Sequence, residues 1–269
     1  MTANTPEPPI DAEIPVVILC GGQGTRIREE TEFRPKPMIE VGGMPILLHI
    51  MKRYGQFGFK HFYLCLGYKG THIKDYFLHY RQRVADITVS LGTGQVTEYL
   101  SDPGGADFNV SMLETGLETM TGGRLARCRR HLKSTFMMTY GDGLADVDIP
   151  ALLAFHRRHG RIATVTSAKV ESRFGMLNSE AGFVKSFSEK PKLSDRISAG
   201  FFVFEPAIFD YLADGDSCVL ETKPMVKLVE DGQLAEFRHD GFFQAMDTYR
   251  ERVHLNGLWD KGTAPWKNW

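Results

Sequence analysis

The residues with the clearest capacity for chemistry form a glycine-rich loop directly after a short apolar run. Residues 19–26 (LCGGQGTR) hold three glycines in four positions, so the backbone can approach a ligand closely and point several N–H groups at one anion. The spacing matches neither G-x-G-x-x-G nor G-x-x-x-x-G-K-[ST], the two usual nucleotide loops. A tight strand-to-helix turn without a ligand is the alternative interpretation of this loop taken alone.

A lysine between two prolines follows this loop. Residues 34–37 read RPKP, and the prolines are predicted to hold the backbone around Lys36 extended. A surface lysine is normally only solvated, but a lysine braced beside a glycine-rich loop is better placed to meet a phosphate. Together with Arg26, which closes the loop, Lys36 therefore indicates an anion-binding site.

Two aspartates are candidates for binding a divalent cation. Asp142 lies between two glycines at the end of a predicted buried strand, and open α/β sheets bind ligands at the carboxyl ends of their strands. A carboxylate there is a natural Mg²⁺ ligand, although an Asp-Gly turn is the alternative. Asp247 precedes the last predicted helix, where it could equally be only an N-cap.

Two further segments have anion-binding features. Residues 119–124 (TMTGGR) form a second Gly-Gly loop that enters a predicted helix, and the first N–H groups of a helix favour anions. Residues 188–191 (SEKP) contain another lysine followed by proline. Each of these features is a weak signal alone, but their combined order along the chain is much less expected by chance.

The elements that must position these residues alternate between strand and helix through the first 160 residues, which is typical of a doubly wound open sheet. Pro45 opens a helical pattern that Gly55 is expected to end in the left-handed conformation. Residues 92–118 are glycine-rich and predict no clear element. Apolar or alternating runs predict the strands of the sheet at residues 15–20, 61–66, 86–91 and 136–140.

The second half of the chain is predicted to consist mostly of strands, two of them joined by a turn at residues 178–182. We expect one α/β domain, residues 14–269, with a Rossmann-like, mixed but mostly parallel sheet flanked by helices and a β-rich second half. Residues 1–13 are polar and proline-rich and are interpreted as a flexible extension.

Composition excludes several classes of function. The formal net charge is −1, which gives no electrostatic reason to expect nucleic acid or an anionic membrane as the main partner. No apolar run approaches the roughly 20 residues of a membrane helix, and the N-terminus does not read as a secretory signal. The four cysteines lack metal-ligand spacing, so we expect a cytoplasmic protein with reduced thiols.

From about residue 16 to residue 269 the chain resembles the sugar-phosphate nucleotidyltransferase family, and within it the branch that transfers a cytidylyl group. The family-wide features are the GGxGTR loop, the lysine before proline, the Gly-Asp aspartate and the Glu-Lys-Pro segment. The cytidylyl branch is indicated by KPMIEVGG at residues 36–43, LGYKG at residues 66–70, GFFV at residues 200–203 and GLWDKGTAPW at residues 257–266.

This resemblance implies a role for each candidate residue. Nucleotide binding is implied for Leu19, Gly21, Gly22, Gly24, Thr25, Arg26, Lys36, Thr119, Arg124 and Gly141. Sugar-phosphate binding is implied for Glu189, Lys190 and Gly200, and Mg²⁺ ligation for Asp142 and Asp247. Arg26, Lys36, Asp142 and Asp247 are the implied catalytic residues.

The implied reaction joins CTP and glucose 1-phosphate to give CDP-glucose and pyrophosphate. Ala199 and Phe243 depart from the family pattern near the presumed sugar pocket, so the same chemistry with another sugar 1-phosphate or nucleoside triphosphate remains an alternative. A catalytically silent nucleotide-sensing subunit is a third hypothesis. It is disfavoured because such proteins usually lose a metal-binding acid or the loop arginine, and this chain retains all of them.

All three tryptophans, Trp259, Trp266 and Trp269, lie in the last eleven residues. Such a tail either packs on its own domain or forms a subunit contact, since tryptophan is enriched at interface hot spots. The resemblance implies a homo-oligomer, often a hexamer, and therefore favours the subunit contact.

Overall fold

The computed structural model describes residues 13–99, 107–171, 176–188 and 192–269. The strands are β1 (Val16–Leu19), β2 (Glu40–Val41), β3 (Met44–Pro45), β4 (His61–Leu66), β5 (Asp86–Val89), β6 (Val96–Tyr99), β7 (Asn109–Glu114), β8 (Phe136–Tyr140), β9 (Gly143–Ala145), β10 (Ala163–Glu171), β11 (Met176–Glu180), β12 (Phe183–Ser188), β13 (Lys192–Phe204), β14 (Leu234–His239) and β15 (Phe243–Ala245). The α-helices are α1 (Arg28–Thr31), α2 (Ile46–Gly55), α3 (Gly70–Leu78), α4 (Tyr80–Val84), α5 (Thr121–Arg127), α6 (Ile149–His159), α7 (Lys223–Glu230) and α8 (Tyr249–Asp260).

A central sheet has the strand order β14-β10-β13-β8-β1-β4-β7. Strand β13 runs antiparallel to both of its neighbours, and every other neighbouring pair in this sheet is parallel. The continuously apolar run of β1 is fully buried because both faces of the sheet are covered, as is usual for parallel sheets. These features confirm the predicted α/β class with a mixed, mostly parallel sheet.

Two apolar cores lie on opposite faces of this sheet. Because side chains alternate along a strand, Val16 and Ile18 enter the core that contains α2, α6 and α8. Val17 and Leu19 enter the second core, together with apolar residues of α5 and α7. In the described part of the chain, no helix has the length and apolar character needed to cross a bilayer.

The prediction for the strand after β4 is wrong. Residues 86–91 were expected to join the sheet, but β5 pairs with β6 in a separate two-stranded hairpin, where Ile87 and Val89 are exposed. The sheet strand is β7, within the region that predicted no element. Because β7 is a half-buried strand at the sheet edge, its apolar signal is weaker than that of a central strand.

Helix α2 begins as predicted, but the role of Gly55 differs from the expectation. Gly55 is the last helical residue and is not among the glycines with positive φ; Gly58 is, with φ +88°. A Cβ on Gly55 would lie 2.5 Å from the ring of Phe108. Glycine is therefore required there for close packing and not for a left-handed turn.

The C-terminal tail packs on its own domain, so the predicted subunit contact is wrong for its central tryptophan. Trp266 is completely buried, and its Nε1 donates to Nδ1 of His49 at 3.2 Å. Nε2 of His49 then donates to the carbonyl oxygen of Val41 at 2.8 Å. Trp259 stands edge-on to the same imidazole, with ring centroids 4.9 Å apart. This burial lowers the pKa of His49 to about 4.

Candidate active site

The candidate site begins where two parallel strands end side by side. Leu19 of β1 lies opposite Tyr140 of β8, and the N–H of Gly141 donates to the carbonyl oxygen of Leu19 at 3.0 Å. The glycine-rich loop after β1 and the Gly-Asp-Gly turn after β8 therefore start at the same edge of the sheet. This is the edge at which open α/β sheets bind ligands.

Lys36 brings the two candidate metal ligands together. Its Nζ donates to Oδ1 of Asp247 at 2.6 Å and also to Oδ2 of Asp142. Arg26 donates from Nη1 to the other oxygen of Asp247 at 2.8 Å. The four side chains form one cluster of two cations and two anions, in which the Lys36 side chain is buried and that of Arg26 is 69% exposed.

Opposing effects act on the Lys36 ammonium. Burial disfavours the charged form and lowers the pKa, but the charge and hydrogen bond of Asp142, followed by those of Asp247, outweigh it and raise the pKa above its ordinary value. Lys36 is therefore positively charged at neutral pH and, together with Arg26, balances the two carboxylates.

The backbone beside each aspartate is fixed by hydrogen bonds. The N–H of Met246 donates to the carbonyl oxygen of Asp142 at 2.9 Å, next to the short antiparallel pair of β9 and β15. Oε2 of Glu251 accepts from the N–H of Asp247 at 2.6 Å and from that of Thr248. Thr248 is the N-cap of α8 in a capping box, so the interpretation of Asp247 as the N-cap is wrong.

The prolines hold Lys36 differently from the expected extended segment. Pro35 is extended, with ψ 150°, but Lys36 begins one turn of 3₁₀-helix that ends at Met38. A Cβ on Gly141 would lie 2.9 Å from the ring of Pro37. The turn therefore packs directly against the Gly-Asp-Gly segment, which directs Lys36 toward Asp142.

The three loop glycines meet different requirements. A Cβ on Gly21 would overlap the guanidinium of Arg124 at 2.1 Å. Gly24 has φ +63°, and a Cβ there would lie 2.7 Å from Thr31. A Cβ on Gly22 would meet nothing within 4 Å, and Gly22 is exposed together with Thr25. The open side of the loop therefore faces the space in which a ligand can approach.

Thr119 and Arg124 lie beneath the loops that follow the parallel strands. Both are buried, and Nη2 of Arg124 donates to the carbonyl oxygen of Gly21 at 2.9 Å. A Cβ on Gly123 would lie 2.8 Å from the Thr119 methyl group, so this threonine packs against the start of α5. Nucleotide contact by Thr119, Arg124 and Gly141 stays a prediction.

The predicted sugar-phosphate residues are only partly described. Glu189 and Lys190 lie outside the described residues. Gly200 is buried and has φ +74°, and a Cβ there would lie 2.4 Å from the ring of Tyr140. Close packing against Tyr140 therefore explains why position 200 is a glycine. Contact of Gly200 with a sugar phosphate stays a prediction.

Sequence reasoning missed a polar contact beside Gly200. The hydroxyl of Tyr140 donates to one oxygen of Glu221, and the hydroxyl of Thr121 donates to the other at 2.7 Å. Burial, followed by the negative charge of Glu221, raises the pKa of Tyr140. The only signal for Tyr140 in the sequence is its position two residues before Asp142, and nothing local marks Glu221.

The donor set at the cluster fits a magnesium ion. Among the described residues no group of three or more His, Cys, Asp or Glu side chains could hold a metal, but two carboxylates face one point. Mg²⁺ is usually bound by one or two carboxylates together with substrate phosphates and waters. The Lys36 ammonium between Asp142 and Asp247 shows that this point accommodates positive charge.

Comparison with known proteins gives relatives over nearly the whole chain. Residues 15–242 match the Nucleotidyl transferase family. A glucose-1-phosphate cytidylyltransferase of Salmonella typhi is 47% identical over 258 residues, covering 94% of this chain and 98% of that protein. A Bacillus subtilis (strain 168) protein named as a probable glucose-1-phosphate cytidylyltransferase is 43% identical over 254 residues, covering 94% and 99%.

Solved structures show the same fold at low identity. HddC from Yersinia pseudotuberculosis, complexed with GMP-PN, has a TM-score of 0.66 and 19% identity, covering 91% of this chain and 99% of that chain. A UDP-glucose pyrophosphorylase complexed with UDP-glucose has a TM-score of 0.66 and 15% identity, covering 93% and 99%. Both similarities support the fold described above.

Proposed function

Because this chain belongs to the nucleotidyl transferase family, we propose that it transfers a cytidylyl group from CTP to glucose 1-phosphate, giving CDP-glucose and pyrophosphate. One observation carries the choice of substrates: relatives named for this reaction are 43 and 47% identical to the chain and match it over almost their entire length. The clustered charges beside the glycine-rich loop supply what the chemistry needs.

The reaction requires charge neutralisation more than proton transfer. A phosphate oxygen of the sugar phosphate forms a bond to the α-phosphorus of the nucleotide, and the bond to the bridging oxygen breaks as pyrophosphate leaves. The attacking oxygen is already anionic at pH 7, so no general base is needed. Catalysis then rests on positioning and on stabilising charge.

The four clustered side chains have distinct roles in this proposal. Asp142 and Asp247 hold Mg²⁺, which when bound neutralises charge on the phosphates. Lys36 leaves the two carboxylates and binds oxygens near the α-phosphorus. Arg26, whose side chain is the most exposed of the four, reaches the β- and γ-phosphates. The family is one of divalent-metal enzymes, and the choice of Mg²⁺ is our proposal.

The remaining predicted residues complete the two substrate sites. The nucleotide site consists of Leu19, Gly21, Gly22, Gly24, Thr25, Thr119 and Gly141 in addition to Arg26 and Lys36, with Arg124 buried beneath its loop. The sugar-phosphate site consists of Glu189, Lys190 and Gly200, with Lys190 neutralising the incoming phosphate. We treat residues 14–269 as one catalytic domain.

We also propose that the protein is a cytoplasmic homo-oligomer. The β11–β12 hairpin supports self-association because its large apolar side chains are exposed, and exposed apolar patches mark interaction sites. These side chains are Met176, Leu177, Phe183, Val184 and Phe187. The four cysteines are free, which agrees with a reducing compartment.

The proposal is tested by measuring pyrophosphate release with each of the four nucleoside triphosphates and a panel of sugar 1-phosphates, with and without Mg²⁺. We expect CTP and glucose 1-phosphate to give the highest kcat/KM, and release to stop when Mg²⁺ is removed. A higher kcat/KM for another pair would support the proposed reaction type but would assign different substrates to it. Nucleotide binding without pyrophosphate release for any pair would overturn catalysis itself.

A further inference from the structure

We propose that Arg124 is a positioning residue: its guanidinium holds the phosphate-binding loop in shape and does not itself contact the nucleotide. The inference rests on the proposed function in one respect only, namely that residues 19–26 bind the phosphates of CTP. It revises the role implied by family resemblance, in which Arg124 is a substrate contact.

The hydrogen bonds of Arg124 join three loops. Nη1 donates to the carbonyl oxygens of Leu66 at 3.0 Å and Gly116 at 2.6 Å, and to the hydroxyl of Thr115 at 2.9 Å. Nη2 donates to the carbonyl oxygens of Gly21 at 2.9 Å and Leu117 at 3.1 Å. These acceptors lie at or just after the ends of β1, β4 and β7, which are adjacent parallel strands.

This arrangement uses the hydrogen-bonding capacity of the two terminal nitrogens. An arginine side chain has five N–H donors, and two of them are on each Nη. The four Nη hydrogens face five protein acceptors, and Arg124 is 4% exposed. A nucleotide phosphate could bind these nitrogens only if the bonds that hold the loops were broken.

Two glycines are required by the position of the guanidinium. A Cβ on Gly21 would lie 2.1 Å from Nη1 of Arg124, and a Cβ on Gly67 would lie 2.5 Å from it. Gly67 belongs to no predicted site. The position is a glycine because no Cβ fits beside the Arg124 guanidinium. The loops after β1 and β4 therefore close around one side chain that comes from α5.

The planar, forked guanidinium is suited to this task in a way that lysine is not. Lysine carries a single nitrogen on a flexible stem and cannot reach acceptors on three segments with fixed geometry. The conservative variant Arg124→Lys therefore keeps the positive charge and removes the bridge. It separates a positioning role from a role that depends on charge alone.

Amide hydrogen exchange in the nucleotide-free protein tests this inference. In Arg124→Lys we expect exchange to become faster by about tenfold or more in residues 19–26, 66–67 and 115–117, since several buried hydrogen bonds are lost at once. The rest of the sheet should exchange as in the wild type. The matched control is Arg127→Lys, because Arg127 lies on the same helix and pairs with Asp216 at the surface. Its guanidinium also lies beside Gly116, so the control is read at residues 19–26 and 66–67, whose exchange should be unchanged.

Steady-state kinetics provide the second readout. Because the phosphate loop serves every nucleotide, Arg124→Lys should raise KM for CTP and for UTP by the same factor and leave their ratio unchanged. If KM rises while loop exchange stays as in the wild type, the side chain contacts the substrate and the proposal is overturned. It is also overturned if exchange accelerates throughout the molecule, which would indicate only a general role in stability.

A milder variant keeps the test usable if Arg124→Lys does not fold. Thr115→Val removes one acceptor of the guanidinium and also the hydrogen bond that the Thr115 hydroxyl donates to the carbonyl oxygen of Leu66. The informative segment is therefore residues 19–26, which the second bond does not reach, and its exchange should accelerate by about 3- to 10-fold. Unchanged exchange there would contradict the inference. A wild-type protein that makes no CDP-glucose would refute the proposed function, while the exchange result would still decide the role of Arg124.

Discussion

At the carboxyl edge of the sheet, Arg124 and a cluster of four charged side chains differ in the partners that fix their positions. Arg124 is buried, and its terminal nitrogens donate to protein acceptors on three loops. Lys36, Asp142, Asp247 and Arg26 are held mainly by one another, and Arg26 reaches into solvent. The first group is a scaffold, whereas the second is a set of ion pairs whose partners a ligand can replace.

The comparison separates two kinds of damage. A substitution that leaves a buried donor or acceptor without its partner lowers stability, because water cannot reach the buried group to replace that partner. Ion pairs between side chains can be exchanged for pairs with phosphate or metal, so their loss should appear mainly as lost turnover. The following predictions test this separation.

The largest expected effect is on stability, at Trp266, which like Arg124 is buried and bonded to a protein group. Trp266→Ala should lower the free energy of unfolding by about 3–5 kcal/mol, since a completely buried indole is replaced by a cavity. Trp269→Ala is the control, because Trp269 lies on the same tail but is 36% exposed. Urea unfolding followed by circular dichroism measures both, and equal losses in the two variants would contradict the described packing.

The next effect belongs to the ion-pair cluster. Asp142→Asn and Lys36→Ala should each lower kcat/KM by roughly 10² or more, about 3 kcal/mol, as expected when one preorganised charge is removed. In Asp142→Asn the side-chain shape is kept, so the urea midpoint should stay close to that of the wild type. Asp148→Asn serves as a control because Asp148 is the N-cap of α6, a position that asparagine fills well. Near-normal turnover in a folded Asp142→Asn or Lys36→Ala variant would refute the assigned role.

The smallest effect is a pH dependence of stability, caused by His49, which accepts the hydrogen bond of Trp266. Burial keeps His49 neutral, with a pKa of about 4 in the folded chain against about 6.5 when unfolded. The unfolded chain therefore binds more protons between these values, so stability is complete above pH 6.5 and falls as the pH drops toward 4. The slope should approach about 1 kcal/mol per pH unit.

Comparison with His49→Gln isolates this contribution, because other groups also titrate in the same range. The wild type should lose stability more steeply than the variant between pH 6.5 and 4.5. Equal slopes in urea unfolding at several pH values would show that His49 is not held neutral by the tail.

The parts of the fold that could be predicted are those in which local sequence and burial agree. Strands β1, β4 and β8 are short apolar runs in the centre of the sheet, and they were predicted. Strand β7 was missed because it lies at an edge, and β5 was wrongly assigned to the sheet because its alternating apolar residues are exposed. Strand β7 is fixed by β4, which is distant in the sequence, whereas β5 pairs with the nearby β6 and stays outside the sheet.

The same distinction applies to the site. Local spacing indicated Lys36 and Asp142, but the approach of Asp247 depends on the Met246 hydrogen bond to Asp142 and on the capping box of α8. The surroundings of Arg124 depend on the loops after β1 and β4, far away along the chain. A motif therefore identifies the residue, while the fold determines what its side chain contacts.

The central claim is that Asp142 and Asp247 act together on one divalent cation. A double-mutant cycle of Asp142→Asn and Asp247→Asn, measured as kcat/KM for CTP at saturating glucose 1-phosphate and Mg²⁺, tests it most directly. If the carboxylates share one ion, the double variant should be slower than the slower single variant by no more than about threefold. Losses that multiply would show that the two residues act independently and would contradict the account.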